Sequence, residues 1–230
     1  MTALASLDPT RDDKVRAFER LKAELSAKMG PASLTVEGAL PTAIPEVDRL
    51  LAGGFPPGVV ATLEGTAGRW SLAAGLIAEL TRRSLVAILD DGTLYPPSLA
   101  EAGARLDRVL VVPARKTLEV ARAVDVLLRS RICRLVLMPA IALRDAIWSR
   151  LAMLAHRSGV LLIVMASRAG AALSAAAEVR LYCAFDRAIV RGKRGLWGNF
   201  AGFDFCIDLR KHKHIPAARL GTARLRAALH

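Results

Sequence analysis

Five short apolar runs between residues 59 and 165 limit what this chain can fold into more than any other feature. They are VVATL (59–63), LVAIL (85–89), VLVV (109–112), LVLM (135–138) and VLLIVM (160–165). Each is almost continuously apolar rather than alternating, the pattern of a strand buried on both faces. Helical segments fall between them, over 71–83, after the turn YPPS up to 104, over 117–130 and over 141–156. Such an alternation makes an α/β fold with a mostly parallel sheet, and right-handed crossovers put helices on both faces. After residue 177 the texture changes. EVRLYCAF (178–185), RAIV (187–190) and FDFCIDL (203–209) read as strands joined by short basic loops. FDFCIDL alternates, so antiparallel strands with one wet face are expected at the C-terminal edge of the sheet. The small-residue stretch 169–177, AGAALSAAA, reads as a loop or a weak helix.

Ahead of this core, residues 11–29 carry Val15, Phe18, Leu21, Leu25 and Met29 at helical spacing, with charges on the opposite face. Gly30-Pro31 ends that helix. A helix set apart by a linker can pack on its own core, dock on a second copy as a homo-oligomer contact, or dock on a partner. Three regions are therefore expected: a separate N-terminal helix and linker over 1–40, the core over 41–218, and a basic tail over 219–230. The 230 residues suit one large domain with appendages, and 53% apolar content supplies a sizeable core. The longest uninterrupted apolar run is VLLIVMA (160–166), far short of the roughly 18 residues of a membrane span. With no signal-like N-terminus, a cytoplasmic protein without membrane contact is expected.

Cys133, Cys183 and Cys206 are odd in number and lack C-x-x-C spacing, and His156, His212, His214 and His230 form no ligand pattern. No metal and no cofactor are expected. Charge is more informative. Net charge is +12, and from Arg180 to His230 eleven Lys/Arg against three Asp give +8 of it. Such asymmetry points to an anionic partner, nucleic acid before an acidic protein. Arg191, Lys193 and Arg194 form one cluster, with Trp197 and Phe200 interleaved for stacking on unpaired bases. Arg210, Lys211 and Lys213 form a second cluster, and Arg219, Arg224 and Arg226 carry charge into the tail. If the strands between them pair as a hairpin, both clusters sit at one end or along one face. Leu220, Leu225 and Leu229 give the tail a short amphipathic surface.

One stretch sits where a nucleotide-binding protein carries its phosphate loop. LEGTAGRW (63–70) follows the first apolar run and opens onto a helix. A phosphate loop reads G-x-x-x-x-G-K-[ST], with a lysine for the phosphates and a hydroxyl for Mg²⁺. Here Gly65 and Gly68 stand too close, Arg69 takes the lysine's place, and Trp70 takes the hydroxyl's. An indole cannot ligate Mg²⁺. Asp90 and Asp91 at the end of the second run read as solvated loop acids.

From VDRLLAGGFPPGVVATLEGTAGRWSL through VAILDDGTLYPPSLAEAGARLDRVLVV, GVLLIVMASR and EVRLYCAF to RKHKHIPA, the chain resembles the RecA family. GGFPPG (53–58) matches the family's GG-(L)-P-x-G entry to the first core strand. The resemblance implies a RecA-like core, with the helix over 11–29 in the place of the family's subunit-packing helix. Carried over residue by residue, it puts the phosphate-loop lysine at Arg69 and the Mg²⁺ hydroxyl at Trp70. The water-activating glutamate falls on Gly92, the Walker B aspartate on Pro139, and the adenine-stacking aromatic near Leu99. The K-x-K pair survives as Lys211 and Lys213. A degenerate nucleotide site (Gly65, Gly68, Arg69, Trp70) without ATPase activity is expected, since neither Gly nor Pro accepts a proton. The two DNA-binding loops of RecA are short here.

Among families with this loss, the chain is most similar to ImuA, the translesion-synthesis accessory proteins, with the SulA division inhibitors as neighbour. ImuA membership implies SOS-induced mutagenesis and a nucleoid-associated adaptor. It would bind an ImuB-like polymerase homologue, RecA and DNA, single-stranded by preference, and could antagonise RecA filaments. The alternatives are a SulA-like inhibitor binding FtsZ and an ATPase with an aberrant loop.

Overall fold

The structure, a computed structural model, describes residues 38–191, 199–217 and 220–228, and from the N-terminal stretch Arg16 and Arg20, which are helical and exposed. Side chains are described from 38 to 189, from 202 to 217 and from 220 to 226. By its contacts the chain divides into two units, Met1–Thr35 and Val36–His230. Val15, Phe18, Leu21 and Leu25 lie outside the described residues.

Each apolar run becomes a strand. In chain order, with their helices, the elements are α1 (Pro45–Leu50), β1 (Val60–Gly65), α2 (Arg69–Thr81), β2 (Leu85–Asp90), α3 (Pro96–Glu101), β3 (Val109–Pro113), α4 (Thr117–Ser130) and β4 (Cys133–Pro139). They continue with α5 (Asp145–Ser158), β5 (Leu161–Met165), α6 (Ala171–Ala176), β6 (Val179–Arg191), β7 (Asn199–His212) and β8 (Thr222–Ala228). One eight-stranded sheet runs in the order β3-β2-β4-β5-β1-β6-β7-β8. The first six strands in that order are parallel to their neighbours, and β7 and β8 add antiparallel pairs at the edge. The α/β class, the parallel sheet and the antiparallel C-terminal edge are as the sequence predicts.

Strands β1, β2, β4 and β5 are buried along almost their whole length, which is why their sequences do not alternate. Helix α2 is apolar nearly all round, and Leu72, Leu76, Ile77 and Leu80 are buried in the core. The GGFPPG segment closes that core. Phe55 is fully buried and exchanges two 2.8 Å backbone bonds with Leu40.

Several boundaries differ from the sequence reading, each for a local reason. Helix α2 starts at Arg69, two residues early, because Gly68 takes the N-cap position in the left-handed conformation. EVRLYCAF and RAIV are one strand, since a register shift between Phe185 and Arg187 accommodates Asp186. The segment expected to form a basic tail from 219 is strand β8, paired with β7 from Thr222 to Ala228. Ala223 and Leu225 are buried while Thr222, Arg224 and Arg226 are exposed, so the segment follows the two-residue period of a strand.

Candidate functional site

Ligands of open α/β sheets bind beyond the carboxyl ends of the strands. At that end of β1, Gly65 has φ +105°, and a Cβ there would stand 1.8 Å from the carbonyl oxygen of Cys183 on β6. Gly68 has φ +77°, and its Cβ would meet the Phe205 ring of β7 at 2.9 Å. Both glycines thus let the loop lie close against β6 and β7. The amide N–H of Gly65 is spent on the carbonyl of Ser167 at 3.0 Å. A loop four residues long from Gly65 to Gly68 has few N–H groups left to ring an anion.

Arg69 and Trp70 form the first turn of α2 and line a cavity of ≈ 220 Å³. Its other walls are the ends of β2, β4 and β5, including Asp90, Asp91, Pro139 and Met165. Trp70 is 37% exposed, so it borders this space rather than filling it. Pro139, where the resemblance to RecA would put the Walker B aspartate, lines the cavity, and Gly92 lies in the turn after β2 with φ +100°. Leu99 is 1% exposed in the core and offers no surface for a purine. The acids are committed to their own turn. One Asp90 oxygen accepts from the amides of Gly92, Thr93 and Leu94 at 2.9, 3.1 and 3.0 Å. Asp91 accepts from the amide and hydroxyl of Thr93 at 3.2 and 2.7 Å. Among the described residues no group of three His, Cys, Asp or Glu could hold a metal ion.

Directly beneath the loop lies a buried ion pair. Glu64 is 1% exposed and receives Arg180 Nε at 2.8 Å and Nη2 at 3.0 Å. The Thr62 hydroxyl and the Ala169 amide also donate to it, at 2.9 and 3.1 Å. Burial pushes its carboxyl upward, but the Arg180, Ala169 and Thr62 bonds outweigh that and hold it below the ordinary glutamate value. The sequence signal was a lone carboxylate ending an apolar strand; its partner lies on β6. Burial drives the Cys133 and Cys183 thiols up to about 12, so both are inert as nucleophiles.

The segments where RecA carries its DNA-binding loops are short. The connection after β4 spans 140–144 and that after β5 spans 166–170. Each is tied down at once, by Ala140 N–H to Met165 O at 2.9 Å and Ala166 N–H to Leu63 O at 3.0 Å.

Of the first basic cluster only the backbone of Arg191 falls among the described residues. In the β6–β7 hairpin Arg191 pairs with Asn199 at one end and Arg180 with Lys211 at the other. Twelve positions along β7 separate Asn199 from Lys211, about 40 Å of strand. Arg191 and the cluster at Arg210, Lys211 and Lys213 thus stand toward opposite ends of a long hairpin. Lys193, Arg194, Trp197 and Arg219 lie outside the described residues, as does the side chain of Arg191. Lys211 donates to the carbonyls of Ser174 and Ala175 at 3.1 and 3.3 Å, at the C-terminus of α6. Burial first and Arg180 second lower its pKa. Lys213 pairs with Glu178 at 3.2 Å. Arg210, Arg224 and Arg226 share the solvent side of β7 and β8. A single carboxylate that the sequence reading left out, Asp204, organises this side, and with it Arg187.

A sheet of this order, with a strand-to-helix loop at the carboxyl end of the central β1, defines the RecA-like α/β fold. Among solved structures the chain is similar to the crystal structure of the RadB recombinase, with a TM-score of 0.61 and 21% sequence identity over 81% of this chain and 95% of that one. At that identity the likeness establishes the fold. No family model matches the sequence, and no curated protein is significantly similar to it. No helix among the described residues is long and apolar enough to cross a membrane.

Proposed function

We propose that this protein is a non-catalytic, RecA-like accessory factor of SOS-induced translesion synthesis, similar in role to ImuA. It serves as an adaptor that binds RecA, an ImuB-like polymerase homologue and single-stranded DNA. The observation that carries the non-catalytic part is the loop after β1. Gly65 and Gly68 lie close against the Cys183 carbonyl and the Phe205 ring, the Gly65 amide is spent on Ser167, and Trp70 falls where the family's metal-binding hydroxyl would be, which supports a loop that does not wrap a triphosphate. Gly92 and Pro139, at the family's catalytic carboxylate positions, have no acid to give. A RecA-like scaffold kept without these groups suits a protein that docks where a RecA subunit docks, and so caps or antagonises filaments. The +8 excess after residue 180 supports the DNA contact.

The test is binding of the purified full chain to RecA filaments and to an ImuB-like polymerase homologue by biolayer interferometry. Saturable association with both is expected, together with shortened RecA filaments in electron micrographs. Association with neither overturns the adaptor reading. Inhibition of FtsZ polymerisation in its place selects the SulA-like alternative.

A further inference from the structure

The antiparallel extension buries one face and leaves the other open. Phe205, Ile207, Leu209, Ala223 and Leu225 point into the core. Cys206, Asp208 and Arg210 of β7 alternate with the buried β7 residues and are half-buried or exposed, and Thr222, Arg224 and Arg226 do the same on β8. On this open side Arg187 of β6, Asp204 of β7 and Arg226 of β8 stand in direct register. Arg187 Nε donates to Asp204 Oδ2 at 2.9 Å; Arg226 Nε donates to Oδ1 at 2.9 Å and its Nη2 to Oδ2 at 3.3 Å. The Arg226 and Arg187 bonds hold the Asp204 carboxyl down at about 2, so it stays ionised across the physiological range.

One carboxylate thus fixes two guanidiniums, and the row keeps a net single positive charge. The two arginine side chains remain 68% and 63% exposed, with further N–H groups unspent. Arg224 lies two positions along the same strand side, about 7 Å from Arg226, and pairs with no described residue. The guanidinium carbon of Arg210 lies over the Tyr182 ring, 3.6 Å from its centroid. Every basic group in this set is an arginine, the side chain whose planar fork matches phosphate oxygens.

We propose that the open face of β6, β7 and β8 is a binding surface for single-stranded nucleic acid, with Arg187, Arg210, Arg224 and Arg226 as the phosphate contacts and Asp204 as their positioning residue. A polynucleotide carries a charge at every unit, which suits guanidiniums recurring along and across strands; an acidic peptide presents its charges irregularly. Among the described residues this face carries no helix, the element that most often enters a duplex groove. A flat sheet face with fixed cations is a surface on which a single strand lies. This rests on the DNA affinity proposed above and assigns it a place on described residues of β6, β7 and β8.

The test is fluorescence anisotropy of a labelled oligothymidylate titrated with the full chain across a salt series. Replacing both Arg210 and Arg224 by Gln is expected to weaken binding about tenfold at moderate salt and to lower the log–log salt slope by about 1.4. Arg224→Gln alone has no folded-state partner to lose and should lower the slope by about 0.7. Wild-type affinity and slope in both variants overturn the assignment while leaving DNA binding in place. A wild-type protein that binds no oligothymidylate removes the DNA reading and this face together. Binding of polyglutamate in preference to oligothymidylate overturns it in favour of an acidic protein partner.

Discussion

Replacing Arg180 by Met tests whether the ground under the loop is built as described. The substitution keeps most of the side chain's length and removes the guanidinium from a carboxylate that is 1% exposed. Glu64 keeps only the Thr62 hydroxyl and the Ala169 amide. Removing one partner of a buried pair costs about 3–5 kcal/mol, because the other charge is left unpaired. Relief of Lys211, whose charge Arg180 disfavours, offsets little of this, since burial is the larger influence there. For a folded unit of this size the loss lowers the melting midpoint by about 10 °C.

The effect must depend on pH. In the wild type the Glu64 carboxyl is held below its unfolded value, so it contributes stability above about pH 4.3 that is lost as pH falls through the folded value. In the variant burial acts with little opposition and raises that carboxyl, which takes up a proton at higher pH. The gap between the two proteins is therefore widest near neutrality and closes as the solution is acidified. Urea denaturation of both across a pH series reads this directly. A loss under about 1 kcal/mol at neutral pH, or a gap that does not narrow toward about pH 4, refutes the buried pair.

Gly65→Ala should cost about 3 kcal/mol or more, from a left-handed backbone and a Cβ 1.8 Å from the Cys183 oxygen; chemical denaturation that shows under about 1 kcal/mol would deny the close approach of β1 to β6. Gly68→Ala should cost about 2 kcal/mol by the same measurement, since the Phe205 ring is the side chain it meets. His212 is buried, with Nε2 unpartnered among the described residues and Nδ1 accepting the His214 amide at 3.2 Å. Burial, then His214, hold its pKa below the ordinary histidine value, so the folded state resists protonation and stability falls as pH drops below about 6.5. His212→Gln should flatten that decline between about pH 6.5 and pH 5; an unchanged slope would show that His212 is not the group responsible.

The parallel core was legible because a strand buried on both faces leaves little room for polar residues, which holds for β1, β2, β4 and β5; β3, at the sheet edge, is apolar yet only half-buried, with Val111 40% exposed. Boundaries set by a single backbone conformation were not. Gly68 in the left-handed region starts α2 at Arg69, and apolar spacing does not encode where an N-cap falls. Strand β8 was hidden because its exposed side is arginine, which reads as a charged tail until the alternation of Ala223 and Leu225 is weighed. The grouping of basic residues depends on pairing that the sequence does not state. A long hairpin carries Arg191 and Lys211 far apart, while strand pairing brings Arg187 and Arg226 together through Asp204. Glu64 shows the same limit: a carboxylate in an apolar strand announces a partner, but Arg180 lies 116 residues away in sequence.

Isothermal calorimetry of the full chain with ATP and Mg²⁺ tests the central claim most directly, that the loop after β1 no longer serves a nucleotide. No saturable heat is expected at millimolar ATP. A dissociation constant in the micromolar range, about −8 kcal/mol of binding, would contradict the account of Gly65, Gly68 and Trp70.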